Sequence, residues 1–471
     1  MRVLLALPPD IHKLEIYRVT GINAPPLGLA WIASVLENYG HKVKIVDSPT
    51  LKITQDQFLH IVKSWKPEVI GLSIQTPMAP KAYDTIRILK RLYPDIPVVV
   101  GGIHPTFMYK EALNHGADVV VRGEGEYTTL ELINLLEERG LDREALRNIM
   151  GLAFKDKDGK IITTKPRPHI WNLDELPWPA RHLLPMEHYT VFGKQIRLAH
   201  VMASRGCPYG CIFCSTSYFW GRCVRFRSPR NVADEIEYLV NKYNVRYIVF
   251  SDDELLINRK FVQAFINEMR ERKIDIQFAC GARVDHVDRD ILKLLYNSGC
   301  TALYFGVESS SQETLNKIGK GISVDQIVRA FNLVKEVGGF ATASFILGFP
   351  WETLDDMKNT IEFSVKLKPD YVQFTALTPY PGTPIYDYAL RNNLITDWNW
   401  EHYTTIKPVM RGFYFTAKQL ERMLKLAYRK FYLRWEFIWR ELRYGRLKDL
   451  LPILLKEVYQ VFKELLRGEK P

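Results

Sequence analysis

Three cysteines with the spacing C-x3-C-x2-C are the residues of this sequence best suited to carry chemistry. They are Cys207, Cys211 and Cys214. Three thiolates on one short loop can bind three irons of an iron-sulfur cube and leave the fourth iron open to a substrate. A closed structural zinc site needs four ligands, usually as two separated pairs, and the sequence has no second pair. Half of the six cysteines lie within these eight residues, which makes three unrelated buried thiols the weaker interpretation.

The elements that position this loop belong to a globular chain of more than one domain. Its 471 residues are 47% hydrophobic and 25% charged, which predicts two or three domains and not a disordered chain. Six cysteines are too few for a disulfide scaffold of this length and fit a reducing, cytoplasmic location. The other three, Cys223, Cys280 and Cys300, have no ligand spacing, and we predict that they are buried structural thiols. The first apolar run, 3–7, is too short for a signal peptide or a membrane span.

Residues 1–140 alternate runs rich in Val and Ile with helical patterns. This alternation predicts an α/β domain with a doubly wound, Rossmann-like parallel sheet. An amphipathic helix is expected at 28–39. The predicted strands are 3–7, 42–46, 69–73, 98–101 and 119–121. Ligands of such sheets bind at the carboxyl ends of the strands, so the loops after the last three strands should line one crevice.

Residues 196–395 repeat a strand and a helix about six times, which predicts a partial (β/α)6 barrel, open on one side. The predicted strands are 198–203, 247–251, 277–280, 302–307, 342–347 and 371–377. The predicted helices are 229–243, 258–272, 288–298, 323–337, 353–367 and 384–392. Residues 141–195 are interpreted as a linker, with a hairpin at 154–161 and a Pro-rich strap at 176–181.

The aromatic Phe213 before the third cysteine completes the pattern C-x3-C-x-Φ-C, directly after the first barrel strand. This loop resembles that of radical S-adenosylmethionine (SAM) enzymes. The resemblance implies one [4Fe-4S] cluster held by Cys207, Cys211 and Cys214, which binds SAM and reduces it to release a 5′-deoxyadenosyl radical. It also implies an external electron donor of the ferredoxin or flavodoxin type.

Further barrel strands end in polar or glycine residues that resemble the SAM contacts of this family. Asp252 or Asp253 would accept from the amino group, and Arg283 would bind the carboxylate with its fixed fork of donors. Glu308 is expected at the ribose hydroxyls or the amino group, and Gly348 beside the adenine. For each charged residue the alternative is an ordinary surface salt bridge.

The first domain resembles the cobalamin-binding domain that precedes many radical SAM enzymes. The resemblance rests on the segments PPLGLA at 25–30, GG-x-HPT at 101–106 and RGEGE at 122–126. It implies that cobalamin is contacted by Ser73, Gln75, Thr76, Gly101, Gly102, His104, Gly123, Glu124 and Gly125. The D-x-H-x-x-G motif of proteins that bind cobalt through a histidine is incomplete, because no glycine follows His12 by three places. We therefore expect base-off cobalamin without a protein histidine as lower ligand, and His104 is either a polar contact or a residue that orders its turn.

The C-terminal region, 396–471, is basic and aromatic. From residue 416 onward it carries 14 Lys or Arg and 7 Asp or Glu, and the run 428–440 interleaves aromatic and arginine residues. We predict a helical cap on the barrel, whose arginines extend to water. Peripheral attachment to the inner face of a membrane is the alternative, because such a run also suits an interfacial helix. No RNA-binding module is recognised, so no nucleic-acid partner is expected.

Together, these resemblances imply a C-methyltransferase that acts on an unactivated carbon of a small-molecule or lipid-like substrate, through the deoxyadenosyl radical and methylcobalamin. The alternatives are oxidative cyclisation or another radical reaction without methyl transfer, and a non-enzymatic cobalamin or redox sensor. Methylthiolation is disfavoured, because enzymes of that kind carry three further cysteines in the N-terminal domain. Residues 1–206 contain no cysteine.

Overall fold

The computed structural model of the protein describes residues 1–9, 24–189 and 197–443. The first domain contains a seven-stranded sheet with the order β2-β1-β3-β4-β5-β6-β7. Its strands are β1 (Arg2–Leu7), β2 (Lys42–Asp47), β3 (Val69–Ser73), β4 (Val98–Gly101), β5 (Val119–Val121), β6 (Leu152–Lys155) and β7 (Ile161–Thr163). Its helices are α1 (Leu27–Asn38), α2 (Ser48–Leu51), α3 (Gln55–Trp65), α4 (Ala79–Leu92), α5 (Ile103–Phe107), α6 (Tyr109–Asn114) and α7 (Glu126–Arg139).

The first five strands of this sheet are parallel, as the alternating pattern predicts. Their apolar residues are buried on both faces, which is the usual environment of a parallel sheet covered by helices. The predicted hairpin is present as β6 and β7, and β6 pairs antiparallel with β5. The sheet of the first domain therefore continues to Thr163, beyond the predicted boundary at residue 140.

The second domain contains a six-stranded parallel sheet with the order β8-β11-β12-β13-β14-β15. Its strands are β8 (Leu198–Val201), β11 (Tyr247–Phe250), β12 (Gln277–Ala282), β13 (Cys300–Glu308), β14 (Ala341–Leu347) and β15 (Tyr371–Ala376). The predicted partial (β/α)6 barrel is confirmed, since each strand pairs with the next one of the series. Its helices are α8 (Thr216–Phe219), α9 (Pro229–Tyr243), α10 (Arg259–Glu271), α11 (Arg289–Tyr296), α12 (Gln312–Lys317), α13 (Val324–Glu336), α14 (Leu354–Leu367) and α15 (Pro384–Arg391).

The first predicted barrel strand, 198–203, ends at Val201 in the structure. After β8 the chain turns into β9 (Ser204–Arg205), which pairs antiparallel with β10 (Arg225–Phe226) to form a two-residue ribbon. Asp252, just after β11, stabilises this turn because its carboxylate accepts from Ala203 N at 3.1 Å and from Ser204 Oγ at 2.5 Å. The cysteine loop thus follows β9 and lies between the two strands of the ribbon, not directly after β8.

The segment that connects the two sheets is held by two buried polar contacts, one at Arg181 and one at Tyr189. Arg181, 2% exposed, donates to Glu235 on α9 at 2.7 Å. The hydroxyl of Tyr189 donates to Asp47 at the end of β2 at 3.0 Å. One apolar core also includes side chains of both domains, from Leu4 in the first sheet to Phe345 in the barrel. The two domains are therefore packed firmly on each other.

The C-terminal helices α16 (Ala417–Tyr432) and α17 (Trp435–Arg443) cover the barrel, as the cap prediction expects. The hydroxyls of Tyr428 and Tyr432 bond to the backbone N–H and C=O groups of Phe374 and Val372 on β15. These contacts satisfy the free edge of the sheet. Of the helices that the structure describes, none has the length and apolar character needed to cross a bilayer. The part of the predicted basic region at 444–471 lies outside the described residues.

Candidate functional site

The three cysteines lie in a loop that is held by contacts to α8 and to the loop after α12. Ser217 Oγ donates to the carbonyl of Cys207 at 3.3 Å, and the Ile212 amide donates to Ile318 O at 3.0 Å. The thiol of Cys211 approaches Gly319 O at 3.8 Å. The loop is therefore anchored from two sides.

All three thiols are free, and their surroundings suit a bound cation more than free thiolates. Burial, and then the charges of Asp253 and of the other two cysteines, raises the pKa of Cys207 to about 11. Burial and the charge of Cys214 likewise raise the pKa of Cys211, against the charge of Lys320. Burial thus makes ionisation of these thiols unfavourable, and a metal cluster would offset this cost because it binds the thiolates.

In the described residues, no three His, Cys, Asp or Glu side chains converge as they would on a single metal ion. Cysteines that each bind a different iron of a [4Fe-4S] cluster stand further apart than the ligands of one ion. Among the described residues, the three free thiols therefore do not form a mononuclear site of the kind that zinc needs, and their role as cluster ligands stays a prediction.

A buried ion pair lies next to this loop. Lys320 Nζ contacts Glu308 Oε1 at 2.7 Å, and the two residues are 8% and 6% exposed. Burial lowers the pKa of Lys320, but the charge of Glu308 outweighs it and raises this pKa above its ordinary value, so the ammonium is retained. Glu308 has φ = +67°, an unusual backbone conformation for a residue that is not glycine. The predicted site residue Glu308 is thus at the cluster loop, already paired with a cation.

Arg283 is also beside the loop, where the sequence predicts it. Its guanidinium lies 3.5 Å from the ring centroid of Tyr209, a residue of the cysteine loop. It also donates to both oxygens of Asp285 at 3.0 Å and to Lys320 O at 2.9 Å. This set of contacts fixes the orientation of the guanidinium.

The two predicted aspartates differ in exposure. Asp252 is buried, and its carboxylate accepts from Ala203 and Ser204 at the start of the ribbon. Burial raises its pKa to about 7, against its hydrogen bonds to Ser204 and Ala203. Asp253 is exposed and accepts from Thr216 Oγ1 at 2.9 Å. Of the two alternatives these contacts favour Asp253, and its contact with the SAM ammonium stays a prediction.

Gly348 and Phe213 are placed by packing. Gly348 has φ = +93°, and a Cβ there would lie 2.5 Å from Leu420 Cδ2 on the cap helix α16. The contact with the cap already explains this glycine, and its place beside an adenine stays a prediction. Phe213 meets Phe349 edge to face with ring centroids 6.2 Å apart, so the cysteine loop is covered on its apolar side.

The loops after β4 and β5 contact each other, as the expected cobalamin crevice requires. Thr106 Oγ1 donates to Gly102 O at 2.8 Å and accepts from Gly123 N at 3.1 Å. Gly102 has φ = +97°, and a Cβ there would lie 3.0 Å from Ile74 O. Beside Gly123 (φ = +77°) no atom lies within 4 Å of a built Cβ, so this backbone faces open space that a large ligand can occupy.

The remaining residues predicted for this crevice divide by exposure. Gln75 is exposed and Ser73 is half-buried, whereas Thr76 is buried and lies within 3.3 Å of a ring nitrogen of His104. A Cβ on Gly101 would lie 3.5 Å from Val121 O, which is ordinary packing. Gly125 packs against Ile32 of α1, since a Cβ on Gly125 would lie 3.0 Å from Ile32 Cδ1.

His104 has its ring enclosed beside the predicted crevice. It is 1% exposed, and its two ring nitrogens lie 3.0 Å from Tyr83 Oη and 3.3 Å from Thr76 Oγ1. Burial lowers its pKa to about 3, so the ring is neutral. The ring also packs against Trp400, with ring centroids 5.2 Å apart. These contacts favour the alternative that His104 orders its turn, and its contact with cobalamin stays a prediction. His12 lies outside the described residues.

Glu124 has its carboxylate paired inside the protein. It is 3% exposed and accepts from Arg205 and Arg225 of the ribbon at 2.9 and 2.8 Å. Burial raises the pKa of Glu124, but the charges of Arg205 and Arg225 together hold it below its ordinary value. These partners lie in the second domain, and a contact of Glu124 with cobalamin stays a prediction.

Several residues of the site were missed by the sequence analysis. Lys320 stands between Gly319 and Gly321 after a short helix, and a lysine framed by glycines is a signal that could have been used. Arg205 directly precedes the glycine of the cysteine loop. Cys280 and Cys300 are buried as predicted, whereas Cys223 is only half-buried because it lies at the edge of the cysteine loop.

The same regions match known protein families. Residues 16–133 match the B12 binding domain, and residues 201–364 match the Radical SAM superfamily. Over 92% of its length, the chain is 39% identical to a protein of Pyrococcus horikoshii described as an uncharacterized methyltransferase, and the match covers 93% of that protein. Over 93% of its length it is 31% identical to the anaerobic magnesium-protoporphyrin IX monomethyl ester cyclase of Rubrivivax gelatinosus, of which 78% is covered.

The fold is shared with a solved structure. The chain superposes with a TM-score of 0.68 on TsrM of Kitasatospora setae, a radical S-adenosylmethionine methyltransferase with cobalamin and a [4Fe-4S] cluster bound. The superposition covers 83% of this chain and 75% of that one, at 20% sequence identity. The arrangement of a parallel sheet, an open barrel and a cap is therefore that of a known architecture.

Proposed function

Because this chain belongs to the radical SAM enzymes that carry an N-terminal B12-binding domain, we propose that it methylates an unactivated carbon of a small-molecule substrate. The cofactors of this family are a [4Fe-4S] cluster, SAM and cobalamin. When bound, they supply a 5′-deoxyadenosyl radical for hydrogen abstraction and a methyl group for transfer. The protein's own residues hold, orient and cover these groups.

One observation carries the proposal. Three free thiols on an anchored loop face a barrel end that also presents Lys320, Glu308 and Arg283. The ammonium and the guanidinium are fixed by neighbouring carboxylates, and either cation is suited to the carboxylate of SAM. A single site therefore offers ligands for the cluster and complementary charge for its zwitterionic partner.

We prefer methyl transfer over other reactions of the substrate radical because of the proteins that this chain resembles. The protein of Pyrococcus horikoshii is the more similar of the two relatives described, and its description is that of a methyltransferase. The second candidate function is oxidative cyclisation without methyl transfer, which the match to the cyclase of Rubrivivax gelatinosus supports.

Product mass distinguishes the two reactions. The full chain, with its cluster reconstituted anaerobically and loaded with hydroxocobalamin, is incubated with a low-potential reductant, SAM and a panel of isoprenoid and tetrapyrrole substrates. Methylation adds one methylene unit to the substrate, and with methyl-labelled SAM the label is found in the product. A product that has lost hydrogens without this gain in mass would contradict methylation and favour oxidative cyclisation.

A non-enzymatic sensor is the remaining alternative, and deoxyadenosine tests it. The enzyme is expected to convert SAM to 5′-deoxyadenosine in the presence of reductant. Protein that contains cluster and cobalamin but forms no deoxyadenosine with any substrate would contradict the enzyme proposal.

The partners follow from the same chemistry. We propose an external one-electron donor of the ferredoxin or flavodoxin type, since reduction of SAM consumes an electron. Membrane contact is the weaker proposal, because Tyr428 and Tyr432 of the basic run are bound to β15. Trp435 and Trp439 on α17 are 66% and 55% exposed and are the aromatic residues of this run still available to a surface.

A further inference from the structure

A buried ionic cluster joins the first domain, just after β5, to the ribbon whose strands β9 and β10 flank the cysteines. Arg205 donates to Glu124 at 2.9 Å and to Glu126 at 2.6 Å, and Arg225 donates to Glu124 at 2.8 Å. The four residues are between 3% and 7% exposed. Two carboxylates and two guanidiniums balance in charge, so the cluster is neutral as a unit. We call it the interdomain cluster.

The ribbon places both arginines on one side. Arg205 and Arg225 are directly opposite each other in the antiparallel pair β9 and β10, so their side chains leave the same face. Like charges directly opposite on one face are unfavourable unless an anion lies between them. Glu124 supplies that anion, with one oxygen accepting from Arg205 and both accepting from Arg225. The ribbon of the barrel is therefore stabilised by a residue of the first domain.

The guanidinium of Arg205 is also enclosed by an aromatic residue from each domain. Its Cζ lies 4.8 Å from the ring of Trp31 on α1 and 5.2 Å from the ring of Trp220. The aromatic rings and two separate donors, Nη1 to Glu124 and Nη2 to Glu126, together fix the planar guanidinium, whereas an ammonium lacks the fork that reaches both carboxylates in one geometry. Arg205 is thus one rigid contact shared by the two domains.

Both ends of this contact are adjacent to candidate cofactor loops. On one side, Glu124 lies between Gly123 and Gly125, and Gly123 N donates to Thr106 of the loop after β4. On the other side, Arg205 is two residues before Cys207. A shift of the loops that line the first crevice would therefore be transmitted to the first cysteine through two buried ion pairs.

We propose that Arg205 is a positioning residue, through which occupancy of the cobalamin crevice sets the geometry of the cluster loop and so tightens SAM binding. Buried ion pairs contribute more to orientation than to net stability, and breaking one leaves an uncompensated charge. The coupling between two sites on one protein is reciprocal, so SAM also tightens cobalamin binding. The inference rests on the proposed function, since it needs both cofactors on one chain.

The test measures binding and not turnover. The dissociation constant of SAM is determined anaerobically on the full chain with the oxidised cluster and without reductant, with and without saturating hydroxocobalamin. In the unsubstituted protein, cobalamin is expected to tighten SAM binding by about fivefold or more, at the lower end of typical coupling between sites. In Arg205→Lys the factor is expected to fall below about twofold.

A matched control separates positioning from general damage. Arg181→Lys alters an equally buried ion pair, with Glu235 at 2.7 Å, which contacts neither cofactor loop. This variant is expected to keep the coupling factor of the unsubstituted protein. Equal loss of coupling in both variants would overturn the inference, and so would full coupling in Arg205→Lys. Should Arg205→Lys not fold, Glu126→Gln gives the same test, because it weakens one of the two ion pairs of Arg205 and leaves the pair with Glu124 in place.

Iron content and the visible spectrum of bound cobalamin are recorded for each variant before the titration. An unsubstituted protein that binds both cofactors without coupling overturns the inference alone. One that does not bind hydroxocobalamin at all overturns the proposed function, and the inference with it.

Discussion

Lys320 Nζ and Glu308 Oε1 lie 2.7 Å apart in a buried ion pair next to Cys211. The pair joins the end of β13 to the loop after α12, whose Gly319 carbonyl receives the thiol of Cys211. Neither partner has bulk water to stabilise its charge, so each depends on the other. The cysteine loop therefore packs against two charges that are paired with each other in the protein itself.

Removal of the cation alone should be strongly destabilising. In Lys320→Met the carboxylate of Glu308 is left buried and unpaired, so the free energy of unfolding should fall by about 3–5 kcal/mol. The double variant Lys320→Met/Glu308→Gln should recover most of this loss, because no charge remains. Urea denaturation of the four proteins of the cycle measures the coupling. Equal losses in the single and the double variant would contradict the ion-pair interpretation.

Each of the three loop cysteines should be needed for the cluster. Cys207→Ala, Cys211→Ala or Cys214→Ala removes one iron ligand, and the reconstituted protein should lose the visible absorption and most of the iron of a [4Fe-4S] cluster. Cys223→Ala is the matched control, because this half-buried thiol lies near the same loop and donates to Trp220 O at 3.9 Å. Iron loss in the control as large as in Cys207→Ala would place the cluster elsewhere.

The hydroxyl of Tyr432 on the cap should stabilise the edge strand of the barrel. Tyr432 Oη is bonded to both Val372 N and Val372 O of the edge strand β15. In Tyr432→Phe these backbone groups lose a partner in a buried environment, and the free energy of unfolding should fall by about 1–3 kcal/mol. Amide hydrogen exchange at Val372 should accelerate.

Tyr414→Phe is the control for this prediction, because Tyr414 is 65% exposed. Its free energy of unfolding should stay within about 0.5 kcal/mol of the unsubstituted protein. Unchanged exchange at Val372 in Tyr432→Phe would show that the cap does not protect the edge of the sheet.

The parts of the molecule that could be predicted are those with local sequence signals. Most strands of both sheets are short apolar runs rich in Val, Leu, Ile, Ala and Phe, and the cysteine loop is defined by spacing within eight residues. Lys320, by contrast, acts through Glu308, which is twelve positions away in the chain and becomes a neighbour only when β13 and the loop after α12 meet.

Long-range pairing explains why the contacts of Glu124 and His104 could not be predicted. Glu124 and Arg205 are 81 positions apart, so the glycines beside Glu124 indicate a ligand loop and say nothing of its arginine partner. His104 lies in the short helix α5 after β4, and its ring is directed inward to Tyr83 and Thr76. The direction of one side chain beside a predicted crevice is decided by tertiary packing and not by the residue type.

Glu352 should make the stability of the barrel depend on pH. It is 1% exposed and accepts from the amides of Gly348 and Phe349 at 3.0 Å, and burial raises its pKa from 4.5 to about 7. Between these two values the unfolded chain has released a proton that the folded protein retains. The contribution of Glu352 to the free energy of unfolding therefore falls as the pH rises from about 4.5 to about 7, by about 3 kcal/mol in all.

Glu352→Gln removes this titration and keeps a carbonyl oxygen that can accept from one amide. The hydrogen bonds that the variant loses cost the same free energy at every pH. As the pH rises from 5 to 8, the stability of the unsubstituted protein falls through Glu352 and that of the variant does not, so the variant should gain stability relative to the unsubstituted protein. Urea denaturation of both proteins at these two pH values measures the change, and Glu313→Gln, on the exposed face of α12, is the control that should show none. A difference between Glu352→Gln and the unsubstituted protein that is the same at both pH values would mean that Glu352 is already ionised in the folded state at pH 5.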